Sequence, residues 1–481
     1  MTDLFASRVF SLDDQTRFAR LSSDFNPIHL EQSFARRTQA GAPIVHGVHT
    51  LVWAANAVLQ AFPMTVANIS ARFPQPLYLD EIAAVRFKKR TGQQIDIEVV
   101  AADVVVALVK LSSEPGKVAA SHRPLTPASP RPLLQPANPA FDEFSGLTGT
   151  AAIADADFGA LFPALVTAIG TDGIKALLAT SQIVGMHCPG LHSLFAGLNI
   201  NFHQQADRNR ALAYAVGKLD ARFRSLQIDV SGYGTTGRLD AFARLPPPSQ
   251  AGMTEVSARI SERPFAGQKS LIVGGSRGLG AVTAKIVAAG GGHPVITYRD
   301  GREAAELVAG EIRRAGGSCD ILHYDALLPS GEQFGAIQPV DCCYYFATPK
   351  IFVRKSGLYE AAKLRTFLDF YVDSFFDLCT TLVRDRSDKL AVFYPSTVAI
   401  EHGLNTTAEY AMAKSAGETL ARYLNEFMPH IAILCRRLPR ILTDQTATIG
   451  VASAEDALDV MLPVVYEVQQ MARREPPASS L

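Results

Sequence analysis

The sequence is poor in the features that mark membrane, secreted and nucleic-acid-binding proteins. No apolar run reaches the roughly 18 residues that a membrane helix requires. Residues 1–5 include no basic segment followed by an apolar one, which is the pattern of a secretion signal. Lys and Arg together number 46, as do Asp and Glu, so the charge balance does not indicate a nucleic-acid partner. We therefore expect a cytoplasmic protein with no membrane or nucleic-acid partner.

Cysteine is scarce, and its spacing excludes two further classes. None of the six cysteines belongs to a C-x-x-C motif, so the sequence predicts neither a disulfide framework nor a zinc site, and we expect no bound metal. At 48% hydrophobic and 19% charged residues, the composition is that of a globular protein. A length of 481 residues predicts roughly two to four domains.

One hexapeptide near the start combines side chains that can handle a proton. Residues 24–29 read DFNPIH. Pro27 fixes its own φ and favours extended geometry in the residue before it. Asp24 and His29 are therefore presented rigidly, as a pair that handles one water molecule from two sides requires. An Asn-Pro turn beside an ordinary surface histidine explains the same residues equally well.

A second block favours the catalytic interpretation. Residues 41–47 read GAPIVHG, and residues 48–62 form one long apolar run that predicts a helix. The backbone N–H of Gly47 would lie at the start of that helix, where it can hold a developing oxyanion. An acid/base pair followed by such a glycine is the layout of a site that forms an enolate.

These motifs resemble the MaoC-like family of R-specific enoyl-thioester hydratases, whose signature is D-x-N-P-x-H with a later H-G pair. Residues 72–80, RFPQPLYLD, resemble the next strand of that family, with two departures at Asp80 and Glu81. The resemblance implies a hot-dog fold for residues 1–112, an antiparallel sheet wrapped on one helix. It also implies that Asp24 and His29 activate or release water, that Asn26 orients them, and that the Gly47 N–H binds a thioester oxyanion.

The next segments predict a linker and a second copy of the same plan. Residues 113–140 are rich in Pro, Ser and Ala, as linkers are. Residues 141–248 repeat the order of a long helix, at 158–185, followed by strands, but they lack the hexapeptide. We expect a degenerate second hot-dog that opens room for a bulky acyl chain, which makes the N-terminal region an α+β double hot-dog.

Residues 185–190, GMHCPG, are unusual within this second copy. A catalytic interpretation places His187 and Cys188 in a thiol site. The favoured interpretation is a turn that ends the helix, because Pro189 and Gly190 would produce one in any case.

A dinucleotide-binding pattern follows a second predicted linker at residues 249–268. A short apolar strand runs into residues 274–280, GGSRGLG, and then into a helix, which is the context that such a loop needs. Its glycines permit a tight turn and let a pyrophosphate approach the helix N-terminus. Strands and helices then alternate, which predicts a doubly wound parallel sheet, an α/β Rossmann domain over residues 269–481.

Two arginines indicate which dinucleotide this domain binds. Arg299 ends the strand at residues 294–298, where an acidic residue would bind a ribose 2′-OH and an arginine accommodates a 2′-phosphate. Arg277 lies on the loop itself. Together they favour NADPH (NADP) over NADH, and solvated surface arginines are the alternative.

A second catalytic pattern occurs near the end of this domain. Tyr410 and Lys414 are spaced i and i+4, so they share one helix face. The lysine cation can lower the pKa of the phenol, which lets Tyr410 donate a proton to a carbonyl that receives hydride. Ser396 would hydrogen-bond the same carbonyl.

Residues 269–465 resemble the short-chain dehydrogenase/reductase family in the loop glycines, Tyr410 and Lys414. Two departures affect the site: Ser396 lies one residue farther from Tyr410 than is usual, so Thr397 is a candidate in its place, and the family's helix asparagine falls on Asp373. The residues that the resemblance assigns to NADPH binding are Gly274, Ser276, Arg277, Gly278, Leu279, Gly280, Arg299, Asp325, Ala347, Lys414 and Thr443.

The two resemblances together predict a bifunctional enzyme, an NADPH-dependent 3-ketoacyl-thioester reductase and a 3-hydroxyacyl-thioester dehydratase for fatty-acid or polyketide-type biosynthesis. The substrate would be an acyl thioester of coenzyme A or of an acyl carrier protein, and the families favour a homo-oligomer. A reductase with a hot-dog scaffold, a hydratase with a degenerate reductase, and a thioesterase are the alternatives. Basic residues 86–90 could contact the carrier or simply form a solvated edge.

Overall fold

The chain forms two compact units, the first spanning Met1–Pro246 and the second beginning at Pro247. A computed structural model describes residues 4–116, 133–203, 210–334, 339–351, 358–402, 407–441, 443 and 454–473. Among these residues, no helix is both long and apolar enough to span a bilayer. The multidomain arrangement predicted from the sequence is confirmed.

The described part of the first unit contains ten strands and two long helices. In chain order its elements are β1 (Leu4–Val9), α1 (Leu12–Ser22), α2 (Pro27–Leu30), α3 (Gln32–Ala35), α4 (Gly47–Ala61), β2 (Asn68–Arg72), β3 (Ile82–Arg90), β4 (Gln94–Ala101), β5 (Val104–Ser112), β6 (Thr148–Ala151), α5 (Phe158–Leu161), α6 (Pro163–Gln182), β7 (Ser193–Phe202), β8 (Leu212–Asp220), β9 (Ser225–Gly232) and β10 (Thr235–Ala243).

All ten strands belong to one antiparallel sheet in the order β1-β3-β4-β5-β2-β7-β10-β9-β8-β6. The strand order is the same on either side of the β2–β7 pair. In each half, the first strand after the long helix (β2 or β7) pairs with the last strand of that half (β5 or β10), and the remaining strands follow towards the edge of the sheet. The helices α4 and α6 contact one another. The predicted repeat of one plan is therefore present, with the two halves joined through a shared sheet.

The long helices lie in the core of this unit. In α4 the buried residues include His49, Thr50, Val52 and Ala54, which fall on more than one face because the sheet and α6 both pack against this helix. In α6 the chain bends at Gly170, whose φ of 74° is a left-handed value.

Two strands of the second half were not predicted. β10 alternates buried and exposed residues along its whole length, but its inward positions are mostly small or polar, such as Thr235, Gly237 and Ala241. The period of two is present without the apolar residues that usually reveal it. β6 has only four residues, a length that gives little periodicity to detect.

The predicted linker at residues 249–268 is wrong, because this segment packs into the second unit. It contains α7 (Met253–Ala258), and Val256, Ile260 and Phe265 are buried in the core there. Lys285 fixes the start of the segment by donating a hydrogen bond to the Ala251 carbonyl oxygen at 2.9 Å. The proline run before this segment is typical of a linker, but Met253, Val256 and Ile260 have the spacing of a helix.

The predicted linker at residues 113–140 is anchored where the structure describes it. The side chain of Asn201 donates a hydrogen bond to the Gly116 carbonyl and accepts one from its N–H. At the other end, the Ala137 N–H donates to the Met186 carbonyl oxygen, and the Leu191 N–H donates to the Ala137 carbonyl oxygen. Residues 117–132 lie outside the described part.

The second unit is an α/β domain. Its elements are α7, β11 (Lys269–Val273), α8 (Gly278–Ala289), β12 (His293–Tyr298), α9 (Arg302–Arg314), β13 (Asp320–His323), α10 (Ser330–Gln333), β14 (Cys342–Tyr345), α11 (Ala361–Leu368), α12 (Ser374–Val383), β15 (Leu390–Thr397), α13 (Ala408–Phe427), β16 (Ile431–Leu438) and α14 (Ala457–Arg473).

The described strands of this unit pair in parallel in the order β13-β12-β11-β14-β15-β16. One apolar cluster packs α8, α9 and α14 against the sheet, and a separate cluster packs α12 and α13. The order reverses between β11 and β14, so the carboxyl ends of these strands open a crevice at the point where dinucleotides bind in such sheets. The loop after β11 lies at that point.

Candidate active sites

The Asp24 carboxylate lies in the interior of the first unit. Only 2% of Asp24 is exposed. Its Oδ2 accepts a hydrogen bond from Ser181 Oγ at 2.7 Å, and its Oδ1 accepts one from the Asn26 N–H at 3.2 Å. Burial disfavours the ionised form and raises the pKa of Asp24 to about 7, although both hydrogen bonds act in the opposite direction. Near neutral pH this group can therefore either accept or donate a proton.

Asn26 fastens the hexapeptide to the other half of the unit. Its Oδ1 caps α2 by accepting the Ile28 N–H at 3.2 Å, and its Nδ2 donates to the carbonyl oxygens of Gly185 and Gly190 at 2.9 and 3.0 Å. The backbone N–H of Asn26 orients Asp24, while its side chain connects the two halves.

His29 presents one ring nitrogen to the cleft. Its Nδ1 lies 2.8 Å from the Ile44 carbonyl oxygen, so Nδ1–H is the donor and Nε2 keeps a lone pair in the neutral ring. Burial lowers the pKa of His29 to about 4, so the ring is neutral at pH 7. A neutral imidazole held in one tautomer is suited to accept a proton.

The two groups lie close enough to share a water molecule. Side-chain ligand atoms of Asp24, His29 and His46 all lie within 4.8 Å of one another. Two hydrogen bonds of about 2.8 Å each span such a distance. A single water molecule can therefore touch both Asp24 and His29.

His46 is a site residue whose role the sequence did not reveal. Its ring stacks on His29 with centroids 3.7 Å apart, its Nδ1 lies 2.9 Å from Gln15 Oε1, and its Nε2 lies 3.1 Å from the Asp24 carbonyl oxygen. Both nitrogens already face oxygen atoms of the protein. His46 is thus placed to position its neighbours rather than to ligate a metal ion.

Gly47 is the first residue of α4, where backbone N–H groups have no partner within the helix. A Cβ atom at this position would lie only 3.1 Å from Cδ2 of Phe73, which is tighter than an ordinary contact. Glycine lets this ring approach the start of the helix. The predicted oxyanion donor lies on the wall of the same cleft as Asp24 and His29.

The second half of the unit completes this cleft. Ser181, Gly185, Ser193 and Phe195 all line it. A Cβ atom on Gly185 would lie 2.1 Å from Asp24 Oδ1, so no larger residue fits beside the carboxylate. These residues are distant in sequence from the hexapeptide. Of the four, only Gly185 belongs to a stretch, GMHCPG, that is unusual in the sequence.

The thiol-site interpretation of that stretch is wrong. Burial raises the pKa of Cys188 to about 12, so the thiolate is not available at neutral pH. Residues Ile183–His187 form a π-helical turn that continues α6. The carbonyl oxygens of Gly185 and Gly190 accept hydrogen bonds from Asn26, so this segment supports the loop that carries Asp24 and His29.

The basic residues of β3 are mostly paired within the protein. Lys88 forms an ion pair with Glu98 at 3.2 Å, and Arg86 forms one with Asp103 at 3.5 Å. The guanidinium of Arg90 lies 3.8 Å from the centre of the Phe62 ring. These contacts favour the interpretation of the basic residues as a solvated edge of the sheet rather than as a surface that binds the carrier.

In the second unit, the loop after β11 has the geometry of a phosphate cradle. Gly274 and Gly278 have φ values of 78° and 54°, and a Cβ on Gly280 would lie 2.3 Å from the Gly274 carbonyl oxygen. No side chain caps the first turn of α8, so its N–H groups are available to an anion. The residues present therefore fit the pyrophosphate of a dinucleotide.

The structure brings some of the other predicted cofactor residues to this loop. A Cβ on Gly274 would lie 3.5 Å from the Ala347 N, and one on Gly278 would lie 4.0 Å from Thr443 Cγ2. Ser276 is buried in the loop, and Leu279 is half-buried. Asp325 uses its carboxylate to accept the Leu327 N–H at 3.0 Å.

Arg299, one of the two arginines predicted to bind the 2′-phosphate, already has a partner. The Nε of Arg299 lies 2.8 Å from Oδ2 of the neighbouring Asp300, and both side chains are about half exposed. Such an exposed pair is weak, so Arg299 can exchange it for a phosphate.

The hydroxyl of Ser396, predicted to be catalytic, is engaged elsewhere in the structure. Its Oγ donates a hydrogen bond to Glu418 Oε1 at 2.5 Å, and Glu418 also binds Arg437. The hydroxyl that bonds Tyr410 belongs to Thr397. Successive residues of a strand point to opposite faces of the sheet. Ser396 and Thr397 therefore face different sides, and Thr397 is the one that faces Tyr410.

The environment of Tyr410 and Lys414 also differs from the prediction. Lys414 Nζ donates to the Pro395 carbonyl oxygen at 2.6 Å and lies 3.9 Å from the centre of the Tyr371 ring. Burial lowers the pKa of Lys414 to about 7 and raises that of Tyr410 to about 12. The predicted lowering of the phenol pKa is absent, because burial outweighs the hydrogen bond to Thr397.

Asp373 does not take the place of the family's helix asparagine. Its carboxylate pairs with Arg365 at 2.5 Å, and 59% of the side chain is exposed. Tyr371, in the π-helical turn Asp369–Asp373, faces the site instead, with its hydroxyl 2.5 Å from Thr348 Oγ1.

Comparison with known proteins gives one family match, in the first unit, and several similar proteins. Residues 3–110 match the family described as "MaoC like domain". The 3-hydroxybutyryl-CoA dehydratase of Methylorubrum extorquens is 28% identical over 107 residues, which are 22% of this chain and 60% of that protein. An uncharacterized oxidoreductase of the same organism is 26% identical over 202 residues, which are 39% of this chain and 79% of that protein.

Among solved structures, an Escherichia coli short-chain dehydrogenase in complex with NADPH is similar at a TM-score of 0.40 and 18% identity. The match covers 44% of this chain and 95% of that one. Residues 3–110 thus carry a MaoC-like domain, and homologues of the chain include short-chain dehydrogenase/reductases. The chain spans about 60% of the length of the dehydratase that it matches.

The raised pKa of Asp24 predicts a pH-dependent stability. A carboxyl group whose pKa rises from 3.8 to about 7 on folding contributes stability that is complete below the lower value and is lost as the pH rises through the upper one. Relative to Asp24→Asn, the free energy of unfolding of the wild type should fall by about 1.4 kcal/mol per pH unit between these values. Denaturant titrations at pH 5, 6 and 7 measure this difference.

Asp13→Asn is the matched control, because Asp13 lies on α1 with 69% of its side chain exposed. Its difference from the wild type should change little over the same range. A difference between wild type and Asp24→Asn that is independent of pH would contradict the burial of an ionisable Asp24.

Proposed function

We propose that the chain is a bifunctional enzyme, an NADPH-dependent 3-ketoacyl-thioester reductase and a 3-hydroxyacyl-thioester dehydratase. The observation that carries the proposal is the spacing of Asp24 and His29, within 4.8 Å in a cleft beside the start of a helix. The MaoC-like match and the dehydratase relative support the first activity. The glycine loop with Tyr410 and Thr397 supports the second.

In the first site, the thioester oxygen of an enoyl substrate accepts the N–H of Gly47. A water molecule between Asp24 and His29 attacks C3, and Nε2 of His29 takes its proton. The resulting enolate is held at Gly47, and protonated Asp24 gives a proton to C2. In dehydration the ionised Asp24 removes the C2 proton, and protonated His29 gives a proton to the leaving hydroxyl group.

In the second site, NADPH supplies a hydride when it is bound. The glycine loop and α8 would hold its pyrophosphate, and Arg277 and Arg299 would bind the 2′-phosphate. Thr397 holds the oxygen of the ketone substrate. Tyr410, which is protonated at neutral pH, donates a proton to that oxygen, and Lys414, whose pKa is about 7, can return a proton to the site.

The two reactions are consecutive on one thioester. The reductase produces the 3-hydroxyacyl group that the dehydratase converts to the 2-enoyl group. Connecting the two sites in one chain raises the effective concentration of the intermediate at the second site. A preference for NADPH favours the reductive direction, as in fatty-acid or polyketide biosynthesis.

The same proposal includes the architecture of the first unit, the carrier of the acyl group, the oligomeric state and the location of the protein. The repeated strand order supports the description of the first unit as a double hot-dog. The substrate is a thioester of coenzyme A or of an acyl carrier protein. By analogy with both families, we infer a homo-oligomer, and we place it in the cytoplasm.

A hydratase with an inactive reductase unit is the second candidate. It is favoured by one observation, the binding of Lys414 to the Pro395 carbonyl and to an aromatic ring rather than to Tyr410. Failure of the purified protein to bind NADPH in a fluorescence titration would support this candidate.

The hydratase activity is tested with 2-butenoyl-CoA and water. Asp24→Asn should lower kcat/KM about 100-fold or more, because it removes one of the two groups that move the protons. Asp13→Asn makes the same chemical change at an exposed site and should leave the rate unchanged. Equal rates for wild type and Asp24→Asn would contradict the assignment.

The reductase activity is tested with acetoacetyl-CoA and NADPH. Thr397→Val should lower kcat about 100-fold, because it removes the hydroxyl group that holds the substrate oxygen. Ser396→Ala should have a much smaller effect, since its hydroxyl is bound to Glu418. The opposite ranking of the two variants would restore Ser396 as the catalytic residue.

A further inference from the structure

Two phenyl rings form part of the wall of the cleft in the first unit. Phe73 follows β2 and Phe195 lies on β7, so each half of the unit supplies one ring. Their centroids are 5.5 Å apart and their planes meet at 62°, an edge-to-face contact. Both rings line the cleft that contains Asp24 and His29.

The backbone holds these rings in place from both halves. The Phe73 N–H donates a hydrogen bond to the Ala196 carbonyl oxygen at 2.8 Å, at the end of the β2–β7 pair. The ring of Phe73 also packs over Gly47, where an added Cβ would meet three of its carbon atoms at 3.1 to 3.2 Å. Phe73 is therefore fixed next to the proposed oxyanion donor.

A β-bulge brings Phe195 to this position. In the pairing of β10 with β7, Asp240 lies opposite Gly197 and Ala241 lies opposite Phe195, so Ala196 has no partner on β10. Such an extra residue changes the direction of the side chains that precede it, and bulges of this kind occur beside active sites. Without the bulge, simple alternation along β7 would place Phe195 on the face opposite to Leu198 and Ile200, which are core residues.

The cleft is small. Its volume is about 70 Å³, and its other walls include the apolar residues Leu77, Val106 and Val184. A cavity of about 150 Å³ is what benzene, with six carbon atoms, occupies in a protein core. The two rings therefore limit the space beside Asp24 and His29, and a long acyl chain has less room there than a short one.

We propose that Phe73 and Phe195 form an aromatic barrier that restricts the first site to short acyl thioesters. This inference rests on the proposed hydratase function and names its substrate class. It also assigns the second half a role opposite to the one expected from the sequence: that half supplies Phe195 and narrows the cleft, instead of opening it to a bulky chain.

The test compares hydration of 2-butenoyl-, 2-octenoyl- and 2-dodecenoyl-CoA by the wild type, Phe195→Ala and Phe202→Ala. Phe202 lies on the same strand and packs over Gly173 of α6, so it is the matched control. The wild type should favour the butenoyl substrate over the octenoyl substrate at least tenfold in kcat/KM. Phe195→Ala should raise the octenoyl-to-butenoyl ratio at least tenfold, and Phe202→Ala should leave it unchanged.

Two results would overturn the barrier. The first is a wild type that hydrates all three chains equally well. The second is a Phe195→Ala variant that changes all three rates by one common factor, which would place the rings on the path of the pantetheine arm. Phe195→Leu, which keeps most of the apolar volume, gives a smaller change of the same sign and replaces Phe195→Ala if that variant does not fold.

A binding measurement separates the barrier from the chemistry. Calorimetry with butyryl-CoA and octanoyl-CoA requires no turnover. Tighter binding of butyryl-CoA to the wild type, with the preference lost in Phe195→Ala, supports the barrier even if no enoyl thioester is hydrated, in which case only the hydratase function fails. If neither acyl thioester binds, both proposals fail.

Discussion

The first unit depends on a buried carboxylate that its own half cannot hold alone. A carboxyl group in the interior is unfavourable unless hydrogen bonds compensate for the lost water. Asp24 obtains one from the neighbouring Asn26 N–H and the other from Ser181, which lies on a helix of the other half. The close approach of Gly185 and the anchoring of Asn26 belong to the same contact. The raised pKa that suits Asp24 to proton transfer is a result of this burial.

This constraint explains why a half without the catalytic hexapeptide is still part of the site. The β2–β7 pair joins both halves into one sheet, and α6 continues into the turn that holds Asn26. The bulge at Ala196 adds Phe195 to the wall. One half thus supplies Asp24 and His29, to which the proposed function assigns proton transfer, and the other half fixes their position and shapes the cleft beside them.

The sequence predicted what local patterns determine. The hexapeptide and the glycine loop are contiguous motifs, so Asp24, His29 and Gly274 could be identified without a structure. Ser181, His46 and Phe195 were missed because only tertiary packing brings them to the cleft. Thr397 was open as an alternative, and strand alternation decided between it and Ser396. The pKa values of Tyr410 and Lys414 depend on burial and on partners such as Pro395, which spacing on a helix does not reveal.

In the proposed function the two units catalyse consecutive reactions on one thioester, and a single incubation tests this most directly. The purified chain is mixed with acetoacetyl-CoA and NADPH, and the acyl products are identified by mass. We expect 2-butenoyl-CoA together with 3-hydroxybutyryl-CoA from the wild type, and 3-hydroxybutyryl-CoA alone from Asp24→Asn. Consumption of NADPH without any butenoyl product from the wild type, under conditions where an added butenoyl thioester is not hydrated either, would contradict it.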